Sequence, residues 1–231
     1  MASTAYQGGA SRARDNRARG FGLLGRSAIA IRPASLSALI FVFLIFSVSA
    51  ARATTNVALA SNGGVASASS TYSSGYAPSG AIDGERSGAN WGNGGGWNDG
   101  TPNSFPDWLQ INFNGSKSID HVVVYSVQDN YTSPVEPTDT MTFSLYGLVD
   151  FTVQGWDGAS WITLATVNGN NLIKRTVTFS TYTTDRIRIN VTNAVDGWSR
   201  ITEVEAWTAG AGATIEYLYD PSGNLTGVTR R

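Results

Sequence analysis

Residue types that carry acid–base, thiolate and metal chemistry are scarce in this chain. It contains no cysteine and a single histidine, His121, so disulfide scaffolds, thiolate nucleophiles, zinc fingers and histidine-clustered metal sites are excluded. His121 begins a predicted strand, where a surface position is expected rather than a catalytic one. Carboxylates are the only abundant catalytic-type groups, and nothing in their spacing pairs an acid with a nucleophile. We therefore expect a protein that is not an enzyme.

Aromatic residues suit a different chemistry, the recognition of sugars. A tryptophan ring stacks on the apolar C–H face of a pyranose, while polar groups at its rim bind the hydroxyls. Trp97 and Trp198 lie in turn-rich segments, where a large ring has no evident core to fill. For Trp97 the alternative, a ring folded back over one end of the fold, is weighed equally. The tryptophans in or beside predicted strands are expected to serve packing: Trp108, Trp156, Trp161 and Trp207.

The charge of the chain is unevenly distributed. Residues 1–53 contain seven arginines and one acidic residue, Asp15, whereas residues 54–231 contain nine basic and sixteen acidic residues. The acidic remainder repels nucleic acid and anionic lipid, so neither is an expected partner. Arg200 is expected to pair with a carboxylate at a strand edge rather than with a ligand.

An export signal is predicted over residues 1–53. Arginines precede an apolar run of 13 residues at 36–48, and small residues follow at once in A-x-A-like arrangements. The run is shorter than the roughly 20 residues that cross a bilayer. An uncleaved anchor and an overlong N-terminus from a misplaced start codon remain alternatives. Export without cysteine favours a secreted, extracellular protein of bacterial origin.

Alternating apolar and polar residues predict strands throughout residues 54–208. Leu109, Ile111 and Phe113 form one apolar face, and an Asp-Gly pair at 157–158 predicts a hairpin turn. The predicted strands cover 109–113, 119–127, 151–154, 161–166, 176–179, 187–191 and 201–207. With about eight strands, frequent turns and no helical periodicity, the chain is expected to form an all-β, jelly-roll β-sandwich.

A series of landmarks in a fixed order resembles a known family. The landmarks are NVALA at 56–60, ASASSTY at 66–72, AIDG at 81–84 with Trp91, PDWLQI at 106–111, IDHV at 119–122, FTVQ at 151–154, RIRI at 186–189, and SRI with EVE at 199–205. Together they resemble the discoidin domain, also called the coagulation factor V/VIII type C domain. Bacterial members resemble family 32 carbohydrate-binding modules. The resemblance implies a galactose-binding-like jelly roll that binds sugars through loops at one end.

Candidate site residues follow from this resemblance together with the loop aromatics. Trp198 is the leading ligand-binding candidate because the loop before the last strand often supplies the stacking ring. The other ligand-binding candidates are Trp97, Tyr131, Asn98, Asp99 and Asn130. The resemblance also implies a structural Ca²⁺, which prefers six to eight oxygen ligands. Its candidate ligands are Asp83, Gly80, Glu85, Gly88, Thr202 and Glu203. Without the resemblance, Asp83 would be interpreted as the start of a turn and Glu203 as a residue on a solvated strand edge.

The C-terminal residues form a separate segment. A Gly/Ala linker at 209–213 precedes residues 214–231, which resemble one unit of the tyrosine-aspartate (YD) repeats of bacterial Rhs-type shell proteins, with a turn predicted at 220–224. A lone repeat is expected to be a frayed hairpin or a disordered tail, because stacked repeats bury their faces against neighbours. We therefore expect the chain to be a fragment of a longer repeat protein, with a coincidental turn as the alternative.

Two functions are compatible with these observations. The first is a secreted, non-catalytic carbohydrate-binding module that docks a larger extracellular protein onto a glycan or polysaccharide. The alternative is an adhesion or protein-interaction module of a bacterial Rhs-like surface protein, whose partner would be a larger Rhs-type assembly. Membrane insertion after signal cleavage is not expected.

Overall fold

The computed structural model describes residues 46–50, 54–210 and 213–230. Their strands are β1 (Phe46–Ala50), β2 (Val65–Ala68), β3 (Trp97–Asn98), β4 (Asp107–Ser126), β5 (Leu148–Trp156), β6 (Trp161–Val167), β7 (Lys174–Ala194), β8 (Arg200–Thr208), β9 (Ala213–Tyr219) and β10 (Leu225–Arg230). Short 3-10 turns lie at Ala60–Asn62, Ser74–Tyr76, Pro78–Ala81 and Val195–Gly197. Over these ranges, no helix has the length and apolar character needed to cross a membrane.

Two long strands build both layers of the sandwich. The first half of β4 pairs with β2 and with the second half of β7, whereas its second half pairs with β8 and with the first half of β7. The β4 register shifts between Asn112 and Lys117, where the strand passes from one layer to the other. One layer therefore has the order β2-β4-β7-β5-β6 and the other has β7-β4-β8-β3. This all-β jelly-roll β-sandwich confirms the predicted fold class.

The sandwich has seven strands where the sequence predicts about eight. The predicted strands at 109–113 and 119–127 are both parts of β4, and those at 176–179 and 187–191 are both parts of β7. β4 and β7 remain paired with each other before and after the bend. The turn residues between the predicted strands therefore bend one continuous strand and do not separate two strands. The predicted hairpin at 157–158 is confirmed, with Asp157 N donating to Ser160 O at 3.1 Å.

The core lies between the two layers. Leu109 and Ile111 of β4 and Ile187 and Ile189 of β7 are fully buried, and the polar residues between them point outward. Val204 of β8 faces them from the second layer and is also fully buried. Burying each such side chain stabilises the fold by roughly 1.5–3 kcal/mol.

Different strand ends and turns lie at the two ends of the sandwich. β4 begins at Asp107 and ends at Ser126, and both residues lie beside the start of β8: Asp107 accepts a hydrogen bond from Ser199, and Ser126 pairs with Ile201. We call this end the apex. The bend of β4 at 112–117 and the β5-β6 hairpin lie at the other end of the strands, which we call the base.

A second, three-stranded sheet contains β1, β9 and β10. The predicted turn at 220–224 is present, because Asp220 Oδ1 accepts from Ser222 N at 2.9 Å and from Asn224 N at 2.8 Å. The expected lone hairpin instead gains a third strand, because β1 pairs with β9. The backbone groups at that edge of β9 are thereby hydrogen-bonded. Strand β1 belongs to the predicted signal segment, whose residues 1–45 and 51–53 lie outside the described residues.

Candidate functional site

A pocket of about 280 Å³ opens at the apex. It is lined by Tyr72, Tyr76, Trp91, Asn98, Val127, Tyr131, Tyr146, Trp198 and Arg200. Six of these nine residues are aromatic, and they come from loops that are far apart in the sequence. The bent strands bring these loops together, because each of β4 and β7 both begins and ends at this end of the sandwich.

The aromatic rings of the pocket hold one another in place. Trp198 meets Tyr72 edge to face with 5.3 Å between ring centres, and Tyr72 meets Tyr76 in the same way at 5.6 Å. Tyr131 and Tyr146 form a separate edge-to-face pair at 5.6 Å. Such pairs are worth about 0.5–1.5 kcal/mol beyond the burial of their area. The ring positions are therefore set before any ligand arrives.

The turn before β8 determines where Trp198 points. Gly197 adopts a φ of 70° in this turn, and a Cβ atom there would lie 2.2 Å from Asn103 Oδ1. On the other side of Trp198, the Ser199 amide donates to Asp99 Oδ1 at 2.7 Å and its hydroxyl donates to Asp107 Oδ2 at 2.9 Å. The backbone on both sides is thus anchored, and the half-buried indole is left at the pocket.

Two polar groups at the pocket wall lack partners within the described part of the chain. Arg200 donates from Nη2 to Asp196 Oδ2 at 3.2 Å, but its Nη1 is buried without a hydrogen bond. Asn98 Oδ1 is likewise buried without one. Buried polar atoms are normally hydrogen-bonded, so an unpaired donor and an unpaired acceptor at one pocket are exceptional. Arg200 and Asn98 are thus the polar side chains of the pocket wall.

The structure brings Trp198, Tyr131 and Asn98 together at the pocket, as the sequence predicts for a ligand site. Trp97 lies elsewhere. Its ring is fully buried in the core, its Nε1 donates to Ser70 O at 2.9 Å, and its backbone pairs with Ile201. A ring without exposed surface cannot stack on a sugar, so the prediction that Trp97 contacts a ligand is wrong. The ring fills the core at the apex.

Asp99 and Asn130 do not line the pocket either. Asp99 is fully buried, and its carboxylate accepts hydrogen bonds from the backbone amides of Ser199 and Thr101. Asn130 is exposed and closes its own loop, with Nδ2 donating to Ser133 O at 3.2 Å. Their side chains bind backbone groups of loops, which explains why polar residues of this kind occur there.

The sequence does not predict six of the nine lining residues as ligand-binding: Tyr72, Tyr76, Trp91, Val127, Tyr146 and Arg200. Tyr76 follows Ser74-Gly75, and Tyr146 precedes Gly147. An aromatic residue within a turn-rich segment is therefore the feature of the sequence that could have identified both as pocket residues. Arg200 pairs with the carboxylate of Asp196, as expected, yet it also lines the pocket. Its guanidinium lies 5.1 Å from the centre of the Tyr146 ring.

A buried carboxylate lies among the residues predicted to bind calcium. Glu203 on β8 is fully buried; its Oε2 accepts from Gly84 N at 3.2 Å, whereas its Oε1 has no partner in the described structure. Burial raises the pKa of Glu203 to about 8, and the neighbouring charge of Asp83 adds to this rise. Burial also raises the pKa of Asp83. Glu203 therefore lies in a poorly solvated position beside the exposed carboxylate of Asp83.

The remaining predicted metal ligands are engaged in other contacts. The Glu85 carboxylate turns back into its own loop and accepts from the amides of Gly88 and Ala89, each at 2.8 Å. The Thr202 hydroxyl donates to Arg86 O at 2.9 Å, and Gly80 is buried in a 3-10 turn. Among the residues that the structure describes, no three histidine, aspartate or glutamate side chains converge on one point. A cation here would depend on backbone carbonyls as well as carboxylates.

Comparison with known proteins identifies the family. The model of the F5/8 type C domain matches residues 65–204, which is more than half of the chain. The chain belongs to the F5/8 type C domain family. The discoidin resemblance of the sequence is thereby confirmed. No curated protein matches the chain.

Solved structures share the fold of this F5/8 type C domain. One is a selenomethionine-labelled mutant of chitosan-binding module 1 from the chitosanase/glucanase of Paenibacillus sp. IK-5, with a TM-score of 0.50, 20% identity, and coverage of 67% of this chain and 99% of that one. A second is the family 32 carbohydrate-binding module of C. perfringens NanJ in complex with galactose, with a TM-score of 0.49, 20% identity and the same coverages, 67% and 99%. At these identities the likeness concerns the fold alone.

Proposed function

We propose that residues 54–208 form a secreted, non-catalytic carbohydrate-binding module that docks a larger extracellular protein onto glycans. The observation that carries this proposal is the apex pocket, which combines six aromatic rings with an unpaired donor and an unpaired acceptor. Membership of the F5/8 type C family supports it, as does the shared fold of a chitosan-binding module.

The pocket supplies both parts of sugar recognition. The Trp198 ring stacks on the apolar face of a pyranose, and Tyr131, whose side chain is 43% exposed, contacts it from the other aromatic pair. Arg200 and Asn98 supply the polar groups of the pocket wall, which bind hydroxyls of the sugar. No carboxylate lines the pocket, so the paired acid and nucleophile of a glycosidase have no counterpart there. The pocket is suited to binding.

A glycan array tests this proposal. The purified chain is applied beside Trp198→Ala and Trp207→Ala; Trp207 is also half-buried, but it stacks on His121 away from the pocket. We expect saturable binding to a defined glycan, weakened more than about tenfold by Trp198→Ala and retained by Trp207→Ala. Equal binding by Trp198→Ala and the parent chain would remove the apex pocket as the site.

The alternative is an adhesion module of a Rhs-like surface protein. It is supported by the β9-β10 hairpin, whose Asp220–Asn224 turn has the geometry expected for the repeat-like segment. If folded protein binds nothing across the array, this alternative is favoured, and the partner becomes a protein of the same surface assembly.

We further propose that Asp83 and Glu203 hold a structural Ca²⁺ together with backbone carbonyls of the 83–88 loop. The residues fit such an ion because Glu203 presents a buried oxygen without a partner in the described structure, and the exposed carboxylate of Asp83 lies near enough to raise the pKa of Glu203. Oxygen ligands of this kind are those that Ca²⁺ prefers. A bound Ca²⁺ supplies positive charge at this point. The two carboxylates would thereby tie the loop to β8.

Thermal unfolding with and without chelator checks the calcium proposal. We expect EDTA to lower the Tm by several degrees, since an ion that binds only the folded state stabilises it. Asp83→Ala should melt at one temperature in both conditions. Asp157→Ala removes an exposed carboxylate at the base and should keep the full calcium response. Identical melts of the parent chain with Ca²⁺ and with EDTA would contradict the proposal.

A further inference from the structure

The outward side of the β2-β4-β7-β5-β6 layer has an unusual composition, and we call it the outer face. Strand alternation points one set of half-buried side chains away from the core. They include Trp108, Gln110, Gln154, Trp161, Arg188 and Asn190. Aromatic rings, amides and a guanidinium thus take the places that short polar or charged side chains commonly occupy on a solvated sheet.

Arg188 lies at the centre of the outer face and has no acidic partner. Its Cζ lies 4.2 Å from the ring centre of Trp108 and 4.2 Å from that of Trp161. Nη2 donates to Gln110 Oε1 at 3.0 Å, whereas Nε is buried without a hydrogen bond. Within the described ranges, no carboxylate lies within 4.0 Å of this guanidinium. Its positive charge is therefore uncompensated.

The neighbouring arginine provides an internal contrast. Arg186 lies on the same strand and the same face, but it binds Asp185 through two hydrogen bonds of 2.8 and 2.9 Å. Removal from water lowers the pKa of Arg188. The pKa of Arg186 is raised instead, because its guanidinium is hydrogen-bonded to the carboxylate of Asp185. One arginine is thus neutralised within the protein, and the other is held between two rings with its charge available to an external anion.

The aromatic row extends across the layer. Trp161 meets Trp156 with 5.3 Å between ring centres, and Trp156 lies under Arg186 at 5.7 Å. Trp108 and Trp161 both lie 4.2 Å from Arg188 Cζ, and Trp156 extends the row by a further ring whose centre lies 5.3 Å from that of Trp161. Three rings in a row offer contacts for more than one sugar ring. In the described structure, the amides of Gln154 and Asn190 beside the row make no side-chain hydrogen bond, so both can bind a ligand.

We propose that the outer face is a second glycan-binding surface, separate from the apex pocket, which takes an extended polysaccharide that carries carboxylate groups. The exposed parts of Trp108 and Trp161 contact sugar C–H groups, and the free amides bind hydroxyls. The guanidinium of Arg188 binds a sugar carboxylate, which supplies the missing counter-charge. This surface is independent of the proposed function of the apex pocket, because no residue of the pocket belongs to it.

Calorimetric titration with two hexasaccharides tests this proposal. Hyaluronan hexasaccharide carries carboxylates, and chitohexaose is a neutral chain with the same number of rings. We expect hyaluronan to bind the parent chain and Trp198→Ala equally. Arg188→Gln should weaken this binding more than about tenfold, and Arg188→Lys less, because lysine keeps the charge but loses the planar fork. Chitohexaose binding should be unchanged by Arg188→Gln. Added salt should weaken the binding of hyaluronan alone.

A second variant keeps the test valid if replacement of Arg188 prevents folding. Asn190→Ala removes a free amide beside the row without disturbing the rings, and it should weaken hyaluronan binding several-fold with an unchanged Tm. Hyaluronan affinity equal to that of the parent chain in both Asn190→Ala and Arg188→Gln would overturn the proposal. So would loss of all binding in Trp198→Ala, which would assign the acidic chain to the apex pocket. Absence of hyaluronan binding by the folded parent chain would also overturn it and leave a protein partner for this face.

Discussion

Two turn-rich segments at the apex each carry one tryptophan, but one ring is buried in the core and the other lines the pocket. In the segment 93–100, Trp97 is fully buried and its indole donates to Ser70 O. In the segment 195–200, Trp198 is half-buried and lines the pocket. The first ring belongs to a strand that pairs with β8, while the second ends a turn just before β8. Strand pairing with a distant segment, not the local turn composition, decides whether such a ring serves the core or the site.

The buried segment also positions the exposed one. Asp99 N donates to Ser199 O at 3.1 Å, and Asp99 Oδ1 accepts from Ser199 N at 2.7 Å. These two bonds fasten the residue that follows Trp198 to the residue that comes two positions after Trp97. A defect in the first segment should therefore affect the ligand site in the second, whereas removal of the Trp198 ring should leave the first segment intact.

Replacement of Trp97 by alanine should have the largest effect on stability. Removing a large core ring costs about 3–5 kcal/mol of unfolding free energy. Denaturant unfolding of Trp97→Ala and Trp198→Ala, followed by circular dichroism, measures the contrast. Trp198→Ala should cost below about 1 kcal/mol, since its ring is only half-buried. Similar losses in the two variants would show that both rings act as core residues and would remove the distinction between the segments.

The Asp99→Asn substitution tests the link between the segments. The carboxylate accepts from the amides of Ser199 and Thr101 with separate oxygens, and asparagine can accept with only one. A backbone amide left without its acceptor costs about 1–3 kcal/mol. We expect a lower denaturation midpoint, and a weaker affinity for whichever glycan the parent chain binds. Asp157→Asn, at an exposed turn, is the control. An unchanged midpoint in Asp99→Asn would show that the two segments are held independently.

The smallest of these effects is expected for Gly197→Ala. Both Gly197 and Gly94 have positive φ, at 70° and 98°, so alanine at either position carries a backbone penalty of about 1 kcal/mol. Only at Gly197 would the new Cβ collide, since it would lie 2.2 Å from Asn103 Oδ1. Gly197→Ala should therefore lower the Tm more than Gly94→Ala and shift the Trp198 fluorescence. Equal melts would show that Asn103 yields and that the turn does not fix Trp198.

Sequence reasoning recovered part of the candidate site. Trp198 and Tyr131 were found because aromatic residues in turn-rich segments have no local packing partner. Tyr76 and Trp91 were missed, although they line the same pocket. Their edge-to-face contact at 5.0 Å joins two loops that the sequence shows as unrelated turns. Because the pocket residues come from separate loops, they have no fixed spacing in the sequence from which a motif could be recognised.

The alternation of apolar and polar residues determined the strands, their buried faces and the class of the fold, because side chains in a strand alternate with a period of two wherever the strand lies. The order of landmarks determined the family. Tertiary structure alone decided that two pairs of predicted strands are the halves of β4 and β7, that Trp97 is core, and that Arg188 lies between two rings. These outcomes depend on contacts between residues far apart in the chain, and such contacts follow from the register and bending of strands, which no local window contains.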